Sequence, residues 1–177
     1  MFDPTVFENL KVALENGLYD LDNLDRAIDI VGRRDLLDMA VFSRELSLSF
    51  RLAGGGSATA ELLLRATLKE LAAEILEQPG AAPTCRLRLR FHLESDGADD
   101  TCETVGRCLL SIWQPAEPPV QTLSRDYGVG GNRWRHTAEL DFGRGIGEEQ
   151  MEDLPELLEH MLLTLSELDR LAKPGGA

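Results

Sequence analysis

Residues 85–93 read CRLRLRFHL. Cys85, Leu87, Leu89, Phe91 and Leu93 alternate with Arg86, Arg88, Arg90 and His92. A period of two marks a strand with one face in a core and the other in water. The fold must therefore contain a sheet covered on one side, and the neighbouring sequence must supply both its strand partners and its cover.

Residues 44–52, RELSLSFRL, repeat the pattern, with Leu46, Leu48, Phe50 and Leu52 on one face and Glu45, Ser47, Ser49 and Arg51 on the other. AIDIV (27–31) reads as a short strand closed by a GRRD turn. GRCLLSIWQ suggests a strand over 106–113, reached through the acidic loop ESDGADDTCE. VQTLSRDY and RWRHTAELDF are two further strand candidates, joined by GVGGN, whose glycines suit positive φ.

Two stretches carry helical spacing. In SATAELLLRATLKELAAEILEQPG, Leu64, Leu68, Leu71 and Ile75 recur every three to four residues, which predicts a helix over about 58–77. Ser57 is its N-cap, and Gln78-Pro79-Gly80 ends it. Near the C-terminus, Asp153-Leu-Pro-Glu156 has capping-box spacing. Leu154, Leu158, Met161, Leu165, Leu168 and Ala172 then define a stripe over 154–172, and residues 173–177 read as a flexible tail. The opening DPTVFENLKVALENG supports two readings. One is a helix with Asp3 as N-cap, Pro4 in its first turn and Gly17 past its end. The other is a hairpin turning at Asn16-Gly17, which sets Leu14 opposite Tyr19 and Val12 opposite Leu21. The hairpin is the preferred expectation.

Short connections and mixed elements define an α+β protein. Its sheet is expected to be mainly antiparallel, with two long amphipathic helices, about 58–77 and 154–172, packed on one face. Residues 1–172 suffice for a single domain with its own core.

With 18 basic and 31 acidic residues the net charge is −13. That field disfavours general binding to nucleic acid. The acids are concentrated in residues 1–38 and 145–177, whereas the middle is nearly balanced. All but three of the basic residues are arginine, which suits forked pairing with carboxylates. No apolar run approaches the length of a membrane span, and MFDPTVFENLK lacks a basic segment ahead of an apolar core. The three cysteines, Cys85, Cys102 and Cys108, have neither disulfide-framework nor zinc-ribbon spacing. The expectation is a cytoplasmic protein with no cofactor and no metal.

Candidate sites follow from parity. Arg86, Arg88, Arg90 and His92 share the sheet face away from the helices, and Arg133 and Arg135 of RWRH can join them. Such a face either pairs its charges across strands or binds an anion. The glycine-rich AGGGSATAE resembles a phosphate cradle in outline only, since it lacks the Walker lysine and puts Glu61 where an anion would sit. No catalytic motif of the serine-elbow or zinc-helix type is present.

The function expected from this sequence is a non-enzymatic, intracellular protein-interaction module that self-associates, with Leu158, Met161, Leu165 and Leu168 as candidate interface residues. Small acidic α+β dimers that bind other proteins, secretion-type chaperones among them, share this class without any motif tying the chain to them. Two alternatives stand beside it. One is a binding protein or enzyme for an anionic ligand held by the sheet-face arginines. The other is an acidic DNA mimic whose two acidic ends share one surface.

Overall fold

The computed structural model describes residues 5–77 and 79–172. The order is α1 (Thr5–Asn23), β1 (Ile28–Asp38), β2 (Ser43–Leu52), β3 (Thr59–Ala66), α2 (Leu68–Ile75), β4 (Cys85–Ser95), α3 (Asp99–Trp113), β5 (Val120–Ser124), β6 (Trp134–Ile146) and α4 (Leu154–Ala172), with a 3-10 turn over Glu148–Asp153 before α4. The strands form one six-stranded sheet in the order β1-β2-β3-β4-β6-β5, antiparallel at every pairing. The α+β, antiparallel architecture is thus the expected one.

CRLRLRFHL is β4, at the centre of that sheet. Cys85, Leu87, Leu89, Phe91 and Leu93 are all buried in the single core cluster, and the intervening side chains face the other way. The same core collects Leu46, Leu48 and Phe50 from β2, Ala60, Leu62 and Leu64 from β3, and Ala138 and Leu140 from β6. From the helices come Phe7, Leu10, Leu14 and Leu18 of α1, Leu71 of α2, Val105 and Leu109 of α3, and Met161, Leu165 and Leu168 of α4.

Four expectations are corrected. The helix over 58–77 is instead strand β3 followed by the short α2, which is capped by Thr67, whose N–H donates to the Glu70 carboxylate at 2.9 Å. Leu62, Leu63 and Leu64 are all buried in this inner strand, so alternation disappears and the leucines mimic a helical stripe. The strand over 106–113 is the second half of α3, whose inward residues Val105, Leu109 and Trp113 are spaced by four. The acidic loop supplies its start, where Asp96 accepts from the Ala98 N–H at 3.0 Å and the Thr101 hydroxyl at 2.8 Å. The preferred hairpin at Asn16-Gly17 is a continuous helix running past Gly17. There the missing side chain admits α4, because a Cβ on Gly17 would lie 2.7 Å from Leu158 Cδ1. The proposed cap at Asp3-Pro4 and the tail 173–177 lie outside the described residues.

The fourth correction is the GRRD turn, which lies inside β1. A register shift between Ile30 and Gly32 puts Arg33 opposite Leu48 and Asp35 opposite Leu46, on the face covered by α1. These charges are met by the helix: Lys11 contacts Asp35 at 2.7 Å and Arg33 contacts Glu15 at 2.6 Å. Arg44 pairs with Asp35 at 3.3 Å and with Glu8, and lies 5.0 Å above the Phe7 ring. Burial pushes the Asp35 carboxyl up, but hydrogen bonds from Lys11 and Arg44 outweigh it and hold the group below the usual range.

AGGGS is a hairpin loop between β2 and β3. Its N–H groups do face a carboxylate, and that carboxylate is the chain's own: Asp169 of α4 accepts from Ser57 N at 2.9 Å, Ser57 Oγ at 3.0 Å and Ala58 N at 2.7 Å. Ser57 therefore ties the hairpin to the last helix and caps nothing. Replacing Asp169 by Ala removes three acceptor contacts at once. Urea unfolding of Asp169→Ala should show a loss of about 1–2 kcal/mol, with protease cleavage appearing first within 53–57.

Candidate functional site

The helices meet the sheet on the core face, and the opposite face is built of polar side chains in register. Glu45 of β2, Glu61 and Arg65 of β3, Arg86, Arg88, Arg90 and His92 of β4, and Glu139 and Asp141 of β6 all share it.

At its middle, Arg90 lies between Glu61 and Glu139. It pairs with Glu139, and reaches Glu61 at 3.7 Å. Arg88 reaches Glu139 at 3.7 Å, and Arg86 pairs with Asp141. The His92 ring bridges two strands, with Nδ1 2.9 Å from the Thr137 hydroxyl and Nε2 3.0 Å from Glu61 Oε2. These contacts suit the tautomer that carries its proton on Nε2. Glu61 also accepts from Ser47 Oγ at 2.8 Å. The hydrogen bond from His92, with Ser47 and the Arg90 charge behind it, overcomes burial and holds the Glu61 carboxyl at about 2.

Arg86, Arg88, Arg90 and His92 are thus brought together as the alternation implied. Arg135 lies on the same face, opposite Glu94, but it and Arg133 pair with acids outside that cluster. They lie toward the other end of β4, where Arg133 contacts Glu94 at 2.9 Å and Arg135 contacts Asp126 at 2.7 Å. Arg135 is in register with Glu94, eight residues along β4 from Arg86, or about 27 Å at strand spacing. The glycine-rich loop beside them holds Arg125 4.5 Å above the half-buried Trp134 ring.

Leu158, Met161, Leu165 and Leu168 are at most 5% exposed, packed in the core beneath α4. They present no surface to a partner while that core is intact; the exposed apolar residues of α4 are Leu163 and Leu171. Arg65 was missed by sequence reading because its segment scans as helix. Its parity with Glu61 in a strand reading is the signal that places it on the open face.

The acidic ends meet on the opposite layer, where α1 packs against α4 and the 3-10 turn. Cys85 is buried, and burial, with Glu70 and Glu74 nearby, pushes its thiol up to about 12. Burial also raises Cys102 and Cys108. His136 is fully buried, and its Nε2 lies 2.7 Å from Gln121 Oε1. Among the described residues its Nδ1 has no partner, and burial lowers its pKa. No group of three or more His, Cys, Asp or Glu among the described residues is placed to hold a metal ion. No described helix is long and apolar enough to cross a membrane.

The class these features define is an α+β protein with a one-sided antiparallel sheet and an open, charge-laddered face. Comparison with known proteins finds no matching family model, no similar curated protein and no similar solved structure.

Proposed function

We propose that the protein is a cytoplasmic, non-enzymatic interaction module that self-associates through the outer edge of β1. The observation that carries this reading is the apolar edge itself. β1 is the first strand of the sheet and spans 11 residues, whereas the other edge strand, β5, spans five. Val31 and Leu37 on β1 are 50% and 51% exposed, and Met39, Val41 and Phe42 at the hairpin end are exposed as well. Contiguous apolar side chains beside unpaired strand backbone favour pairing with another strand.

A second copy is the occupant that β1 fits best. Antiparallel pairing about a two-fold axis at Arg34 sets Val31 opposite Leu37 of the second copy; the two Arg34 side chains then meet at the axis, a like-charge contact that the flanking apolar pairs must offset. The apolar match occurs twice, as a symmetric interface requires. Three free cysteines, with the Cys85 thiol buried and its pKa raised, suit a reducing compartment.

Light scattering on the eluting chromatographic peak, supported by native mass spectrometry, tests the reading. The parent chain should appear at twice the 19.5 kDa of a single chain. The double variant Val31→Lys, Leu37→Lys should appear as a monomer with unchanged circular dichroism. A monomeric parent at concentrations that saturate a standard interface would sink the proposal, and so would a double variant that keeps the parental mass.

A further inference from the structure

We propose that Arg65, Arg86 and Arg88 form a binding site for a compact dianion, a phosphate or a small phosphomonoester, at the point where β3 ends and α2 begins. Arg65 and Arg86 are directly opposite one another on neighbouring strands, and Arg88 is opposite Leu63, one row away on the same face. Two guanidinium groups in register repel, so this pairing destabilises the sheet unless something negative lies between them. On its other side Arg86 faces Gly145, which offers no side chain, because the β4–β6 register shifts between Arg86 and Arg88.

The acids nearby do not complete the cluster. Asp141, opposite Arg88, pairs with Arg86 and accepts from the Gly143 N–H at 3.0 Å, and Glu139 reaches Arg88 at 3.7 Å while also holding Arg90. Glu45 is in register with Arg65, yet no ion pair or hydrogen bond joins Arg65 to it or to any other described residue. Glu70 lies at the rim, but its carboxylate is occupied by the Thr67 N–H and hydroxyl.

These side chains line a real space. Arg65, Thr67, Glu70, Arg86 and Arg88 surround a cavity of about 220 Å³. Drug-sized ligands use roughly 300–1,000 Å³, so this one suits a small ion or a small phosphorylated molecule. Half-buried Arg65 and Arg88 and the more exposed Arg86 supply fork-shaped donors that match phosphate oxygens.

Thermal unfolding at fixed ionic strength, with inorganic phosphate or glycerol phosphate replacing chloride, tests the site. The parent should gain a saturable rise in Tm, and phosphorus NMR should show matching broadening of the phosphate line. Arg65→Gln should act in opposite directions in the two buffers. In chloride it should raise Tm, because the facing charge is gone. In phosphate it should bind about tenfold more weakly, as expected for loss of one charge-assisted contact. Arg133→Gln, at the far end of the sheet, should bind like the parent. A response to glycerol phosphate but not to phosphate would assign the organic ester as ligand. No saturable response to either ion overturns the proposal, as does a response that Arg65→Gln leaves intact.

Discussion

Truncating Phe91 to Ala should cost about 3–5 kcal/mol, the upper range for a buried aromatic, because nothing around it can close the space. Phe91 is fully buried, and its cross-strand neighbours on the core face are Ala60 on β3 and Ala138 on β6. The sheet places one large side chain between two of the smallest, so the neighbours have no atoms to move inward. Above it the Trp113 ring lies with its centroid 6.4 Å away, fixed by its own hydrogen bond from Nε1 to Thr164 Oγ1 at 2.9 Å. Trp113 also meets Phe142 at 6.0 Å and His160 at 5.5 Å, so it cannot drop into the hole without breaking those contacts. Urea unfolding followed by tryptophan fluorescence would measure the loss. A cost below about 2 kcal/mol would mean that α3 settles onto the sheet and that the Trp113 cluster is softer than its contacts imply.

The strands that were legible in the sequence are those with one wet face. β2 and β4 alternate because their odd and even side chains meet different surroundings. β3 lies between them and buries Leu63 on the nominally open face, so its leucines no longer report a period of two. β1 was cut short for a related reason: its register shift returns Arg33 and Asp35 to the helix side, where Glu15 and Lys11 complement them. That compensation comes from residues some twenty positions earlier, and no local pattern contains it. The Asn16-Gly17 pair misled because glycine there serves contact between helices and makes no turn. α3 was recoverable, since Val105, Leu109 and Trp113 fall four apart, but its aromatic and aliphatic run read as strand. The candidate face was legible in β4 alone. Its acidic partners and Arg65 became visible only once β3 and β6 were set beside it.

Acidification from pH 7 should cost the parent more stability than it costs Glu61→Gln, because the Glu61 carboxyl holds a proton less tightly in the folded chain than in the unfolded one. Its carboxyl lies at about 2 in the native state against 4.5 when unperturbed, through His92, Ser47 and Arg90. Between those values the unfolded chain takes up a proton that the native chain refuses, so stability is full above 4.5 and is lost as pH falls toward 2. The lost contribution is on the order of 3 kcal/mol. His136 adds an earlier decline, because burial lowers its pKa from 6.5 and the unfolded imidazole protonates first as pH drops below that value. Glu61→Gln keeps the shape of the side chain and removes its charge, so urea unfolding should find it less stable at pH 7 and equal to the parent near pH 2. The His136 decline should persist in the variant, as that ring contacts Gln121 and not Glu61. Parallel stability curves for parent and variant from pH 7 to 2 would show that the Glu61 cluster contributes nothing specific. Convergence would establish the Glu61 cluster as a stabilising part of the sheet.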